Sequence, residues 1–221
     1  MTQTVHPGAF TDTGVFVCFE GGEGAGKSTQ AKALAGWLAE EGYAVRLTFE
    51  PGDTPVGRDL RRIVLDPETG DLSPRTEALL YAADKAEHVD TVVLPALAGG
   101  EVVVTDRYVD SSLAYQGAGG LESSLADGSL ERVLRWSTGD LRPHLTVLLD
   151  LEPRHGLGRF TERDRIEQRD LDYHSRVRQC LLDLAAADPD HYAVLDARLP
   201  VEEVTAAIRD RVEPLLGQAR R

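Results

Sequence analysis

Val15-Phe16-Val17-Cys18-Phe19-Glu20-Gly21-Gly22-Glu23-Gly24-Ala25-Gly26-Lys27-Ser28-Thr29 carries the decisive reading of this 221-residue chain. An apolar run rich in Val and Phe reads as a buried strand. It passes straight into the spacing G-x-x-x-x-G-K-[ST], from Gly21 to Ser28. Apolar residues three and four apart then continue over 27–41, the period of a helix. Glycines between strand and helix let successive backbone N–H groups turn into one cavity, where they cradle phosphate oxygens. In such a loop Lys27 supplies a mobile point charge for the terminal phosphates, and the Ser28 hydroxyl is a donor suited to Mg²⁺. The expectation is a site for ATP or a close relative.

Outward from this loop, strand and helix patterns alternate. Short apolar runs at 44–49, 102–105, 145–151 and 192–195 read as further buried strands. Helical periodicity covers 74–97, 171–187 and 200–216. Ser73 before Pro74 is a helix start, with a hydroxyl to cap and a proline already at helical φ. The alternation predicts an α/β fold, with a parallel sheet covered by helices on both faces. Residues 1–14 are polar and turn-rich and are expected to form a flexible leader, with a single domain over 15–221. The charged stretch 152–168 has no periodicity and is expected to be a short active-site lid, or else a solvated loop.

Composition narrows the function. Twenty-four Lys and Arg against 37 Asp and Glu give a net charge of −13, which argues against a nucleic-acid-coating role. A small polyanion can still be held by a few local cations. Most of the acid is expected on helix exteriors and loops. The two cysteines, Cys18 and Cys180, have no metal or disulfide spacing and suit a reducing compartment. No signal peptide and no run long enough for a membrane span is legible, so a cytoplasmic protein is expected. No N-K-x-D guanine-reading motif occurs, which disfavours a GTPase.

The third strand ends in Asp106-Arg107-Tyr108, at the sheet edge where doubly wound folds bind ligands. There Asp106 can hold Mg²⁺ through water and Arg107 can clamp a phosphate; a plain surface ion pair is the alternative. Six segments then line up. They are F-E-G-G-E-G-A-G-K-S-T (19–29), E-P-G-D-T (50–54), L-R-R-I-V-L (60–65), L-L-Y-A-A-D-K-A (79–86), D-R-Y-V-D-S-S-L-A-Y-Q-G (106–117) and D-R-I-E-Q (164–168). In these motifs, and in their order, the chain resembles the bacterial thymidylate kinase family.

The resemblance implies a homodimeric P-loop NTPase fold with a five-stranded parallel sheet, transferring phosphoryl from MgATP to dTMP. Another P-loop nucleoside or nucleotide kinase with a different base choice is the alternative. ATP is implied at Gly21, Gly22, Glu23, Gly24, Ala25, Gly26, Lys27, Ser28 and Thr29, with Arg159 stacking on adenine. For dTMP, Glu23 is matched to the sugar 3′-hydroxyl, and Arg61 and Arg107 to the phosphate. Glu50 and Pro51 shape the adjoining loop, and Tyr81 is matched to an aromatic that stacks on thymine, although an aromatic on a helix is more often a core residue. Lys85, where the family usually has Arg, reaches the base; Ser111, Ser112 and Gln116 offer polar groups to its edge. Tyr115 is matched to a ring lying where a ribose 2′-hydroxyl would go. Because Gly24-Ala25 leaves no arginine in the loop, the catalytic cation is expected from the lid, as Arg163 or Arg165 beside Lys27 and Arg107. Lid salt bridges are the alternative for any one of these arginines. Glu167 joins Ser28 and Asp106 near the metal, and Arg198 is expected near adenine. The family commonly reads R-E-P-G-G-T; here Phe49 is expected as the end of a buried strand, and Asp53 facing solvent or an arginine.

Overall fold

A computed structural model describes residues 10–11, 13–159 and 163–220. The leading segment is β1 (Val15–Gly21), then α1 (Lys27–Glu40), β2 (Val45–Phe49), α2 (Pro55–Leu65), α3 (Pro74–His88) and α4 (Leu94–Ala98). The middle holds β3 (Val102–Asp106), α5 (Val109–Ala118), α6 (Glu122–Ala126), α7 (Ser129–Ser137) and β4 (Leu145–Asp150). The chain closes with α8 (Pro153–Leu157), α9 (Leu171–Ala187), β5 (Tyr192–Asp196) and α10 (Val201–Val212). The five strands are all parallel, in the order β2-β3-β1-β4-β5. This is the expected α/β fold with its five-stranded sheet.

β1 sits at the centre, and every one of its residues is buried. Alternate side chains therefore feed two cores. Val15, Val17 and Phe19 point with Val102, Val104 and Val147 to the layer where α1 and α10 pack through Leu34, Leu38 and Ile208. Phe16, Cys18 and Val103 face Val89, Val93 and Leu97 on the other side. There α9 also covers α5 and β4, through Tyr173, Val177 and Leu181. Cover on both faces explains why β1 and β3 read as unbroken apolar runs.

The expected helix over 74–97 is instead broken into α3, a π-helical turn at Val89–Val93, and α4. Pro95 has no N–H to offer the preceding turn, and the Thr91 hydroxyl takes the Glu87 carbonyl at 2.6 Å. The widened turn absorbs both. Pro214 likewise ends α10 at Val212, and the chain continues as 3₁₀ helix over Glu213–Gln218. Ser73 caps α3 by accepting from the Thr76 N–H. Of the segment expected as a leader, residues 1–9 and 12 lie outside the described residues. Phe10 stacks on His191 with centroids 4.8 Å apart, and the Thr11 carbonyl accepts from His144 Nε2 at 3.1 Å.

The inner face of α1, which carries the phosphate loop, packs on the sheet through Ala31, Leu34 and Leu38. Leu34→Ala should lower unfolding stability by about 2–5 kcal/mol in urea titrations, the cost of a core cavity.

Candidate active site

A cleft of about 740 Å³ opens along the carboxyl ends of β1, β2 and β3. The loop after β1 forms its floor. Gly21, Gly24 and Gly26 take φ of +144°, +67° and +94°, a region closed to most side chains. A Cβ on Gly24 would stand 2.5 Å from the Gly156 carbonyl, so α8 rests directly on the loop backbone. Lys27, the first residue of α1, donates to the Gly21 and Gly22 carbonyls at 3.0 and 2.7 Å. Burial first, and then the Arg107 charge, push its ammonium below the ordinary lysine range. The Ser28 hydroxyl donates to the Asp106 carboxylate in a short bond. Register explains the meeting, since Asp106 pairs with Phe19 across β3 and β1.

Arg107 spans the floor and the adjoining wall. Its guanidinium donates to Glu23 at 2.7 Å, to the Ser111 hydroxyl at 3.0 Å and to the Gly21 carbonyl at 3.3 Å. It also lies 4.9 Å from the centre of the Tyr115 ring, whose hydroxyl donates to Glu23 at 2.9 Å. Burial opposes ionisation of Glu23, but the Arg107 and Lys27 charges and the Tyr115 hydrogen bond outweigh it and hold its carboxyl at about 2. Arg107 sits at φ +75°, a left-handed conformation costing a non-glycine residue about 1–3 kcal/mol. Its N–H donates to the Phe19 carbonyl and its carbonyl accepts from the Thr105 hydroxyl, which together impose it.

The far wall comes from α2, α3 and α5. Arg61 donates to the Pro51 carbonyl at 2.7 Å and lies over the Phe49 ring. Tyr81, Lys85, Ser111, Ser112 and Gln116 all line the cleft, as do Glu50 and Pro51. Lys85 is fully buried and its ammonium donates to Glu50 at 2.8 Å; His88 Nδ1 holds the other Glu50 oxygen at 2.7 Å. Burial again opposes ionisation of Glu50, and Lys85 and His88 outweigh it, setting its carboxyl below the usual range. The Ser112 hydroxyl and the Gln116 carbonyl oxygen are buried without a hydrogen-bond partner. Two departures from the family pattern resolve differently from expectation. Phe49 is 40% exposed at the cleft, because β2 is an edge strand, and Asp53 accepts from the Thr48 hydroxyl at 2.6 Å.

A family model for thymidylate kinase matches residues 19–208. The chain belongs to the thymidylate kinase family. It is 53% identical to the thymidylate kinase of Cutibacterium acnes over 205 residues, 93% of this chain and 99% of that one. Identity is 50% over 209 residues to the thymidylate kinase of Clavibacter michiganensis, spanning 93% and 97% of the two chains. The thymidylate kinase of Deinococcus radiodurans is 51% identical over 199 residues, 88% and 94%.

In this member of the thymidylate kinase family the lid arginines go to different places. Arg159 donates to the Gly24 carbonyl at 2.6 Å and lines the cleft. Arg163 donates to the Leu157 carbonyl, and Arg165 pairs with Glu77 and donates to the Val64 carbonyl; neither lines the cleft. Glu167 does line it, with one oxygen accepting from the Asp164 N–H at 3.0 Å. Residues 160–162 of the lid lie outside the described residues. Arg198 pairs with Asp196 at the surface.

Sequence reasoning passes over Glu20, Glu77 and Asp84, because acid is expected outside; all three are buried, as is Glu50. Glu20 accepts from the Tyr108 and Ser111 N–H groups and from the Ser111 hydroxyl, and so fixes the start of α5 behind Arg107. A charge inside an otherwise apolar strand was its sequence signal. Asp84 accepts from the Gly52 N–H at 3.0 Å, which ties α3 to the 50–54 loop. Burial, and then the Glu50 charge, push its carboxyl up to about 6. Glu77, in the first turn of α3, had no signal, since an acid there is ordinary.

Burial and then the Asp110 charge push the Glu20 carboxyl up to about 7 from an ordinary 4.5. A carboxyl raised in the folded state stabilises the fold below its unfolded pKa. That contribution is lost as pH rises through the folded value. Urea unfolding of Glu20→Gln should therefore lose less stability between pH 4.5 and 7 than the unsubstituted chain does. Parallel pH profiles would mean that Glu20 titrates normally.

Proposed function

We propose that this chain transfers the γ-phosphoryl group of ATP to the phosphate of dTMP, giving ADP and dTDP. The observation that carries the reading is Arg107. One guanidinium touches the phosphate loop at Gly21 and Glu23 and the acceptor wall at Ser111 and Tyr115. A switch or motor ATPase has no use for a second anion site against its loop.

In this reading the loop backbone and Lys27 hold the β- and γ-phosphates, with Lys27 leaving its carbonyl partners for phosphate oxygens. Arg61 and Arg107 bind the acceptor phosphate, offsetting its repulsion from ATP. Glu23, ionised at any working pH, accepts from the sugar 3′-hydroxyl and orients the acceptor. An oxygen of the dTMP phosphate forms the new bond to the γ-phosphorus as the bond to the β–γ bridging oxygen breaks. The attacking phosphate already carries negative charge near neutrality, so the step needs no protein base. Tyr81 stacks on the base, and Ser112 and Gln116, whose buried oxygens lack partners, address its edge. Tyr115, tied to Glu23, closes the space a 2′-hydroxyl would take.

A hydroxyl and a carboxylate are hard oxygen donors of the kind Mg²⁺ accepts alongside several waters. Ser28 and Asp106 would hold the ion, with Glu167 towards it. Among the described residues no group of three or more acidic, His or Cys side chains is placed to hold a metal ion. When bound, the ion offsets charge on the β- and γ-phosphate oxygens.

For the lid cation, Arg159 has the support of its bond to the loop. Arg163 and Arg165 would have to exchange present partners to reach the γ-phosphate. The reading also includes a homodimer in the cytoplasm. Two free thiols support a reducing compartment, and among the described residues no helix is long and apolar enough to cross a membrane.

Coupled assays with MgATP across dTMP, dUMP, dCMP and UMP test the base choice, with dTMP the best acceptor expected. Lys27→Ala and Arg107→Ala should each lower kcat/KM for dTMP by about 10²-fold or more. Unchanged activity in either would overturn the site. Tyr115→Ala should narrow the preference for dTMP over its ribonucleotide counterpart; an unchanged ratio would remove Tyr115 from sugar selection.

A further inference from the structure

Glu77 is only 2% exposed, yet it carries three donors divided between its two oxygens. Oε2 takes Arg165, near the end of the lid segment, in a short bond and Arg169, just beyond that segment, at 3.1 Å. Oε1 takes the side-chain amide of Gln116 at 3.2 Å. Gln116 is itself 2% exposed and lines the cleft, and its carbonyl oxygen has no partner.

An amide side chain has a donor end and an acceptor end that exchange by a half-turn, and only its partners decide between them. A carboxylate offers acceptors only. With Arg165 and Arg169 on its other oxygen, Glu77 accepts from the NH₂ group of Gln116 and so holds that group away from the base. The oxygen is then the end left for a ligand. Leaving that oxygen buried and unpaired is costly to the unliganded chain, so a ligand donor that reaches it is strongly favoured.

We infer that Glu77 is a positioning residue that sets base choice, by locking the Gln116 amide so that its acceptor end meets the ring N–H of a thymine-type pyrimidine. This rests on the dTMP reading above. Thymine and uracil carry a hydrogen on ring N3, whereas cytosine carries a nitrogen lone pair there and would set one acceptor against another. A pocket built around a hydrogen bond rejects the analogue that cannot make it far more strongly than an apolar pocket rejects a size change. The same carboxylate holds Arg165 and Arg169, so the base pocket and the lid end share one anchor on α3.

The test is the ratio of kcat/KM for dTMP to that for dCMP, with MgATP. Glu77→Gln keeps the shape but can donate to Gln116, which frees the amide to turn, and the ratio should fall by about tenfold or more. The exchange E77Q/Q116E returns an acceptor to the cleft side and should restore the preference for dTMP. Arg169→Gln removes a cation from the other Glu77 oxygen but leaves the Glu77–Gln116 bond, and the ratio should hold. A ratio unchanged in E77Q, or lowered equally in Arg169→Gln, overturns the assignment. So does a fall that E77Q/Q116E fails to reverse, since that would mark a loss of packing. An unsubstituted chain with no preference for dTMP over dCMP would instead overturn the dTMP reading beneath it.

Discussion

The part-buried pair between Arg107 and Glu23, 2.7 Å apart just beyond the ends of β3 and β1, is the contact on which the cleft depends. Either charge alone would be costly to keep out of water, and removing one partner of such a pair leaves the other uncompensated. The two are retained because they answer to different halves of the site. Glu23 belongs to the phosphate loop and Arg107 to the acceptor wall, so the pair joins the two. Around it, Tyr115, Ser111 and the Gly21 carbonyl satisfy the remaining donors and acceptors. The left-handed backbone at Arg107 is the local cost of aiming the guanidinium inward.

A second tier of buried acids supports the first. Glu20 orders the start of α5, Glu50 holds Lys85 and His88, Asp84 takes the Gly52 N–H, and Glu77 takes Arg165, Arg169 and Gln116. Each of these acids takes at least one donor from a different element of the fold. The net charge of −13 therefore gives no picture of the site. Part of that acid is the interior framework that holds cations at fixed positions beside a cleft built for anions.

Much of this was legible beforehand, for identifiable reasons. β1, α1 and the loop between them were readable because burial on both faces makes a continuous apolar run, and because a phosphate cradle needs glycine at set spacings. The start of α3 was readable from Ser73 and Pro74. α5 was not, because every residue from Ser111 to Ala118 is buried and a helix covered all round has no amphipathic period. The break at Val89–Val93 escaped notice because periodicity runs on through it, while Pro95 acts on the turn before itself. Phe49 reads as the end of a buried strand, yet that strand lies at the sheet edge and the residue lines the cleft.

By itself the sequence determined the α/β class, the phosphate loop and the family, since these rest on local spacing and on motifs that keep their order along the chain. Tertiary structure decided which charges meet. Glu77 and Gln116 are 39 positions apart, Arg107 and Glu23 are 84 apart, and Arg165 reaches Glu77 across 88. No periodicity encodes such pairs. They follow from how parallel strands line up their carboxyl ends and from which helix covers which face. That is why the arginines of one charged segment, alike in sequence, part company in space. Arg159 settles on the phosphate loop, and Arg165 settles on a buried carboxylate of α3.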